Sequence, residues 1–118
     1  MAALTSMWAP PPPAHTGLGC YQALAPKASV HVSPIQLVAM SIGDKWEDVG
    51  MGSMNKESSF KLLDAYYNNG GNFIDTASNY QDGSSEEFIS EWAEKHGVRD
   101  QLYCYKVYNQ LCLVGFFH

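Results

Sequence analysis

The sequence predicts an α/β protein with parallel strands, and three observations carry this prediction. A short apolar stretch, Asn72–Asp75, ends in an acid, and a helical pattern follows it over Ser84–His96. A second apolar stretch, Leu102–Tyr105, comes after that helix and is followed at once by a basic residue, Lys106. Strands joined by a crossover helix are parallel neighbours, so we expect both charged residues at the same end of one sheet.

The chain has 118 residues, of which 46% are hydrophobic and 16% are charged. This length predicts one small domain, and this composition is typical of a soluble protein. The net charge is −5 and the chain has no Lys/Arg cluster, which argues against nucleic acid and an anionic membrane surface as partners. The three cysteines are odd in number and lack CxxC spacing, so we expect reduced thiols and no metal. No basic residue precedes Lys27 and no stretch has the ~20 apolar residues of a membrane span, so we expect a cytoplasmic protein.

The amino-terminal part is predicted to be irregular at first and then β-rich. Residues Met1–Gly19 contain four consecutive prolines and are expected to form an irregular arm. The segment Cys20–Leu37 predicts a β-hairpin around a proline-containing turn, with His31 on the strand surface. We expect Ile35–Ser41 to be the first buried strand and the polar loop Asp44–Ser53 after it to be functional.

The first long helix is predicted to begin after Asn55, whose side chain can cap it. Phe60, Leu63 and Tyr67 fall at helical spacing and predict the core-facing stripe. The pair Gly70-Gly71 predicts the end of this helix, because glycine accepts the left-handed conformation that reverses the chain.

The second helix is predicted over Ser84–His96, with Ser84 and Glu87 as a capping box and Gly97 as its end. Its predicted core stripe consists of Phe88, Ile89 and Trp92.

The carboxyl-terminal segment, residues 109–118, differs from the rest because Leu111–Phe117 is apolar and uncharged. The strand Leu102–Tyr105 is therefore expected to have a neighbour missing on its outer edge, and self-association through that open edge is expected. The alternative is that the tail folds back and pairs with this strand as an edge strand.

Asp75, Tyr80 and Lys106 form the candidate catalytic set. A tyrosine hydroxyl has an unperturbed pKa of about 10, so it acts as a general acid near neutrality only when a nearby cation lowers its pKa. Lys106 could be that cation and Asp75 could hold it, which would allow a proton to reach a carbonyl oxygen. The alternative is structural, with Asp75 as a loop cap, Tyr80 as a packing aromatic and Lys106 as a solvated strand end. Spacing alone does not decide between the two.

The run Phe73-Ile74-Asp75-Thr76-Ala77-Ser78-Asn79-Tyr80, continued by residues 81–92, resembles the signature of the aldo-keto reductases. Three further segments are similar to the fungal aryl-alcohol dehydrogenase branch of that family, which includes norsolorinic acid reductase-like enzymes. These segments are Val32–Leu37, Ala39–Trp46 and Glu57–Tyr67. The resemblance extends from Gly17 to Tyr108.

The resemblance implies a partial TIM (β/α)8 barrel, namely an N-terminal β-hairpin plus the first two to three βα units, with residues 20–108 forming the amino-terminal part of the reductase domain. It implies NADPH as the cofactor and an aldehyde, ketone or alcohol as the small-molecule substrate. Tyr80 is implied as the proton donor with Asp75 and Lys106, and Ala39, Met40 and Asp75 as cofactor-binding residues.

Two departures from the family pattern accompany the resemblance. Val38 stands where the family usually has glycine, and His118 lies too close to Lys106 to be the family's histidine on the next strand. A complete barrel takes about 250 residues. We therefore expect little or no reductase activity from the isolated chain. A non-catalytic remnant or interaction module, and a mis-spliced product of a longer reductase gene, stay open beside the reductase interpretation.

Overall fold

The computed structural model describes Pro10, residues 12–108 and residues 111–113, with side chains described as far as Cys104. The hairpin consists of β1 (Gln22–Ala23) and β2 (His31–Val32). A four-stranded sheet and two helices follow: β3 (Leu37–Val38), α1 (Lys56–Asn68), β4 (Phe73–Ala77), α2 (Ser84–His96), β5 (Tyr103–Tyr108) and β6 (Leu111–Leu113). Short 3-10 turns lie at Gly17–Gly19, Glu47–Val49, Tyr80–Gly83 and Arg99–Gln101.

The predicted β-hairpin is confirmed, since β1 and β2 pair antiparallel with Gln22 opposite Val32. His31 is exposed on it, as expected. The residue after β2, Ser33, is buried and ties the hairpin to the sheet. Its backbone N–H donates to Oδ1 of Asn72 at 2.8 Å, and its hydroxyl accepts the N–H of Asn72 at 2.9 Å. The hairpin is thereby fixed to the residue that precedes β4.

The sheet has the order β3-β4-β5-β6, in which β3, β4 and β5 are parallel. The predicted parallel pairing of the two strands on either side of α2 is thus confirmed. The predicted buried strand Ile35–Ser41 was wrong in length and burial, because β3 has two residues and Val38 is 53% exposed. The strand ends where the chain turns, with the N–H of Ile42 donating to the carbonyl of Ala39 at 3.0 Å.

Helix α1 begins as predicted, because Oδ1 of Asn55 accepts the N–H of Ser58 at 2.8 Å. The predicted stripe does face the core, since Leu63 is buried and Phe60 and Tyr67 pack against the buried cluster. Tyr66, which the prediction did not include, is buried as well. The Tyr66 hydroxyl lies 2.8 Å from the carbonyl oxygen of Phe73 and accepts the N–H of that residue at 3.3 Å. A phenol can therefore be buried here because its polar end contacts backbone groups of β4.

Helix α2 has the predicted bounds, and its predicted stripe of Phe88, Ile89 and Trp92 is buried. The predicted capping box was wrong. Gly83, at φ 96°, precedes the first helical residue, and no side chain caps the helix. The Ser84 hydroxyl instead donates to the carbonyl of Gln81 at 3.0 Å, because the Tyr80–Gly83 turn runs directly into the helix.

One apolar core lies between the sheet and the two helices. The indole N–H of Trp92 donates to Oδ1 of Asp64 at 2.8 Å and so connects α2 to α1. The rings of Trp92 and Tyr67 pack edge to face at 5.8 Å. Burial of such side chains contributes about 1.5–3 kcal/mol each and supplies most of the stability of a domain of this size. The buried cluster contains Ala39, Ile42, Leu63, Tyr66, Ile74, Phe88, Ile89, Trp92, Ala93 and Val98.

The outer edge of β5 is not open over its last three residues. Strand β6 pairs there antiparallel, with Tyr108 opposite Leu111 and Lys106 opposite Leu113. The expectation of a missing neighbour was therefore wrong for this part of β5, and the alternative of a folded-back edge strand is confirmed for residues 111–113. The rest of the predicted tail, residues 109, 110 and 114–118 with His118, lies outside the described residues.

Candidate active site

The predicted acid lies within β4, and the predicted phenol lies in the turn that follows this strand. Asp75 is the third residue of β4, and Tyr80 opens the Tyr80–Gly83 turn. The end of β3 adjoins them, because the N–H of Ala39 donates to the carbonyl of Asp75 at 2.8 Å. The structure therefore brings Asp75, Tyr80 and the predicted cofactor residues Ala39 and Met40 to one edge of the sheet.

Asp75 is half-buried, and burial raises the pKa of its carboxyl above the ordinary value. Its Oδ1 is buried and has no hydrogen-bond partner among the side chains that the structure describes. A buried carboxylate oxygen in this state costs free energy unless a donor reaches it. An ammonium group or a cofactor amide would supply that donor, so the carboxyl is suited to the predicted relay and to a nicotinamide.

Tyr80 is half-buried against the loop that follows β3. Its ring meets the Trp46 ring edge to face, with centroids 6.3 Å apart and planes at 75°. Burial raises the pKa of Tyr80 above the ordinary value, and the negative charge of Asp75 raises it further. These surroundings keep the hydroxyl protonated at neutral pH, as the predicted role of proton donor requires. They also oppose phenolate formation, so transfer of the proton requires a cation nearby.

Lys106 is the predicted cation, and the structure describes its backbone only. The Cα partner of Asp75 on β5 is Tyr105, and Lys106 pairs with Thr76. The two strands are thus parallel neighbours as predicted, but Lys106 lies one position beyond the residue opposite Asp75. Because alternate residues of a strand lie on opposite faces, the register puts the positions of Asp75 and Lys106 on opposite faces of the sheet. The side chain of Lys106 lies outside the described residues, so its contact with Asp75 and Tyr80 stays a prediction.

Ala39 and Met40 are the predicted cofactor-binding residues at the end of β3. Ala39 is fully buried, and its carbonyl accepts the Ser85 hydroxyl at 2.9 Å. Met40 is half-buried, and its carbonyl accepts Nε2 of Gln81 at 2.9 Å. These backbone groups are used inside the protein, so a cofactor here would contact the exposed side of Met40 and the free Oδ1 of Asp75.

Sequence reasoning missed Gln81, which is fully buried with φ 53° and ψ 37°. It also missed the bond from the Trp46 indole N–H to Oδ1 of Asp82, at 3.1 Å. The Asp82-Gly83 pair predicted a turn, but glutamine is usually exposed and nothing in a single sequence distinguishes a buried one. A tryptophan within a polar loop was the available signal for the second contact.

The cysteines and the possible metal ligands are the other polar candidates. Among the described residues, Cys20 and Cys104 are free, and no group of three potential ligands is placed to hold a metal ion. Burial raises the pKa of the Cys104 thiol to about 11, so it is protonated at neutral pH. No helix in the described part of the chain is long and apolar enough to cross a membrane.

Comparison with known sequences gives the decisive observation. The sequence profile of the Aldo/keto reductase family matches residues 34–108, more than half of the chain. The chain belongs to this family. The matched range contains Asp75, Tyr80 and Lys106, so the implied family is confirmed for the segment that carries the candidate site.

Two fungal proteins are similar to this aldo/keto reductase chain over most of its length. It is 65% identical over 97 residues to the aryl-alcohol dehydrogenase [NADP(+)] of Phanerodontia chrysosporium, covering 82% of this chain and 25% of that protein. It is 45% identical over 94 residues to norsolorinic acid reductase A of Aspergillus parasiticus, covering 80% and 24%. The chain therefore spans about a quarter of the length of these relatives.

A solved structure from Pseudomonas aeruginosa, described as an aldo-keto reductase, resembles this chain with a TM-score of 0.59 at 24% identity. The match covers 77% of this chain and 32% of that one. At this identity the likeness concerns the fold alone, and it supports the α/β fold.

Proposed function

We propose that this chain carries the proton-donor part of an NADPH-dependent reductase that converts an aryl aldehyde or ketone to an alcohol. The observation that carries the proposal is the placement of Asp75 in β4 and of Tyr80 in the turn directly after this strand, beside the end of β3. This placement lies within the segment that matches the family. The name of the Phanerodontia relative supports both the cofactor and the aryl substrate class.

The reaction joins one hydride and one proton to a carbonyl group. Bound NADPH would supply the hydride to the carbonyl carbon. The hydroxyl of Tyr80 donates its proton to the carbonyl oxygen as negative charge develops there. Asp75 and Lys106 would complete the set, the lysine favouring the phenolate that remains and the carboxylate holding the lysine. This requires the lysine to reach the face of Asp75 around the strand ends, because its position on β5 lies on the other face. Burial of Tyr80 keeps the proton on its hydroxyl until the carbonyl oxygen takes it.

The four-stranded sheet is, in this proposal, the amino-terminal portion of a TIM barrel. A whole barrel takes about 250 residues, and the sheet described here has three parallel strands. Cofactor contacts would come from Met40 and Asp75 in this portion, beside the fully buried Ala39. We expect the isolated chain to show little or no NADPH-dependent reduction, because these residues can hold only one end of the cofactor.

One observation favours a second function, that of a non-catalytic interaction module. Strand β6 pairs antiparallel with β5, at the edge where a further parallel strand of a barrel would pair. The outer strands of the sheet are then β3 and β6, and self-association would proceed through one of them. Size-exclusion chromatography with light scattering distinguishes a self-associating chain from a monomer.

A chimera tests the reductase proposal without depending on the isolated chain. Residues 34–108 would replace the matching segment of the Phanerodontia aryl-alcohol dehydrogenase, and NADPH oxidation would be followed with an aryl aldehyde. We expect turnover, and we expect Tyr80→Phe to lower kcat by about 100-fold or more, because general acid catalysis contributes about 10²–10⁴-fold.

The matched control is Tyr67→Phe, which removes a phenol hydroxyl on α1 and should leave turnover nearly unchanged. Lys106→Met measures the third member of the catalytic set. A folded chimera that reduces the aldehyde equally well with and without the Tyr80 hydroxyl would refute the proposed proton donor.

A further inference from the structure

Gln81 carries a buried side-chain amide whose hydrogen-bonding capacity is fully used. Its side chain is 0% exposed. Oε1 accepts the N–H groups of Lys45 at 3.1 Å and Trp46 at 2.9 Å. Nε2 donates to the carbonyl oxygens of Met40 and Gly52, both at 2.9 Å. A glutamine amide has two donor hydrogens and two acceptor lone pairs, so these four bonds satisfy it completely.

The four partners come from separate points along the segment between β3 and α1. Met40 lies just after β3, Lys45 and Trp46 begin the polar loop, and Gly52 lies near its end. One side chain therefore joins the residue after β3, the beginning of the loop and the end of the loop to the turn that contains Tyr80. We call this set of four bonds the Gln81 clamp.

The backbone conformation of Gln81 is itself unfavourable, so the contacts around Gln81 must offset its free-energy cost. Its φ of 53° lies in the left-handed region, which a residue with a Cβ adopts only when its surroundings hold it there. Gly43 packs against it so closely that a Cβ at position 43 would lie 2.5 Å from Cβ of Gln81. The turn and the loop are thus fitted to each other at this point.

The clamp acts directly beside the proposed proton donor. Tyr80 precedes Gln81 in the chain, and the Trp46 backbone that the clamp holds carries the ring that packs against Tyr80 at 6.3 Å. The Trp46 indole N–H also donates to Asp82, the residue after Gln81, at 3.1 Å. Movement of the loop would therefore change the position of the Tyr80 ring.

We propose that Gln81 is a positioning residue that fixes the 44–53 loop on the Tyr80 turn and so orients the Tyr80 hydroxyl for proton transfer. This inference rests on the proposed reductase function for its catalytic part. The anchoring of the loop does not depend on that function, and the two parts can be tested separately.

Amide hydrogen exchange on the full 118-residue chain tests the anchoring. Gln81→Gly keeps the left-handed backbone without strain and removes the amide, whereas Gln81→Asn keeps an amide that is one methylene too short. In both variants we expect the protection of the Lys45 and Trp46 amides to fall by about tenfold or more. Gln22→Ala, a change on the exposed hairpin, is the control and should leave both unchanged.

The Ser58 amide, bonded to Asn55 on α1, reports whether a variant has unfolded as a whole. Intact protection of Lys45 and Trp46 in Gln81→Gly would overturn the inference. If both variants lose Ser58 protection, they have unfolded as a whole, and the inference is then tested on the wild-type chain. The Nε2 protons of Gln81 must then exchange more slowly than those of exposed Gln22, and equal exchange would overturn the inference.

The catalytic part is tested in the chimera described above. We expect Gln81→Gly to lower kcat by about tenfold or more and to change KM for the aldehyde by less than about threefold, because a misplaced proton donor acts on the transition state. Unchanged kcat despite lost protection would show a structural role alone and overturn the positioning role. An inactive unmodified chimera would instead refute the proposed function, and hydrogen exchange would still decide the anchoring.

Discussion

The helix side of the sheet and the carboxyl end of its parallel strands are stabilised in different ways. Between α1 and α2, Trp92 is 1% exposed and its one polar atom bonds to Asp64. At the strand ends, Gln81 is equally buried but is held by four hydrogen bonds in a left-handed conformation. Asp75 beside it keeps a buried oxygen without a partner among the described side chains.

This difference shows where stability and chemistry lie in the molecule. Apolar packing on the helix side contributes most of the favourable free energy of folding. The strand ends combine a left-handed backbone with a partly buried carboxyl group, as is common where a protein binds a ligand. Substitutions on the two sides should therefore change different quantities, and three predictions test this, from the largest effect to the smallest.

The largest expected effect comes from a pair of tryptophans, one on each side. Trp92→Ala should lower the free energy of unfolding by about 3–5 kcal/mol, because it leaves a cavity in the core. Trp46→Ala should cost about 1 kcal/mol, since the half-buried ring loses its contact with Tyr80 and one hydrogen bond to Asp82. Urea unfolding followed by circular dichroism measures both. Equal losses would mean that the loop contributes to stability as the core does.

A smaller effect is expected from the starts of the two helices. Asn55→Ala should cost about 1 kcal/mol, because it removes the acceptor of the Ser58 N–H at the start of α1. Glu87→Ala should cost no more than about 0.5 kcal/mol, because the exposed Glu87 makes no cap and contributes only through the helix dipole. The same unfolding experiment compares them. A larger loss of unfolding free energy for Glu87→Ala would indicate that the capping box predicted from the sequence does form.

The sequence was sufficient for the fold wherever one physical pattern dominated. The spacing of apolar residues with a glycine at the end predicted α2 to the residue, and the strand, helix, strand order predicted the parallel pairing of β4 and β5. The boundaries of β3 were not predictable in this way. The apolar run Ile35–Ser41 continues past Val38, and the turn that ends the strand depends on a bond from Ala39 to Asp75, which is distant in sequence.

The site was predictable in part, for a related reason. Asp75 lies in β4 and Tyr80 in the turn directly after it, so their proximity follows from local sequence together with the family signature. The role of Gln81 depends on backbone groups 29 to 41 residues away in the chain, which no local pattern encodes. The burial of Tyr66, which the predicted stripe did not include, likewise depends on the carbonyl of Phe73, which is within hydrogen-bonding distance of the phenol only after β4 has formed.

The smallest expected effect, and one of opposite sign, concerns Asp75. Burial raises the pKa of its carboxyl in the folded chain, so the folded state binds the proton more tightly than the unfolded state. The free energy of unfolding should therefore fall as the pH rises from the ordinary aspartate pKa through the raised one. At neutral pH the half-buried carboxyl of Asp75 is charged, and its desolvation lowers the free energy of unfolding.

Asp75→Asn removes that charge at every pH. The variant should be more stable than the wild type at neutral pH, and the difference should disappear as the pH falls below the ordinary aspartate pKa, where both side chains are neutral. Urea unfolding across this pH range is the measurement, and Asp48→Asn, an exposed position in the loop, controls for the change in net charge. Because the same substitution should abolish turnover in the chimera, a gain in stability would show that the strand ends retain a charge that opposes folding and serves catalysis. A loss of stability at neutral pH would instead mean that a donor outside the described side chains already satisfies Oδ1 of Asp75.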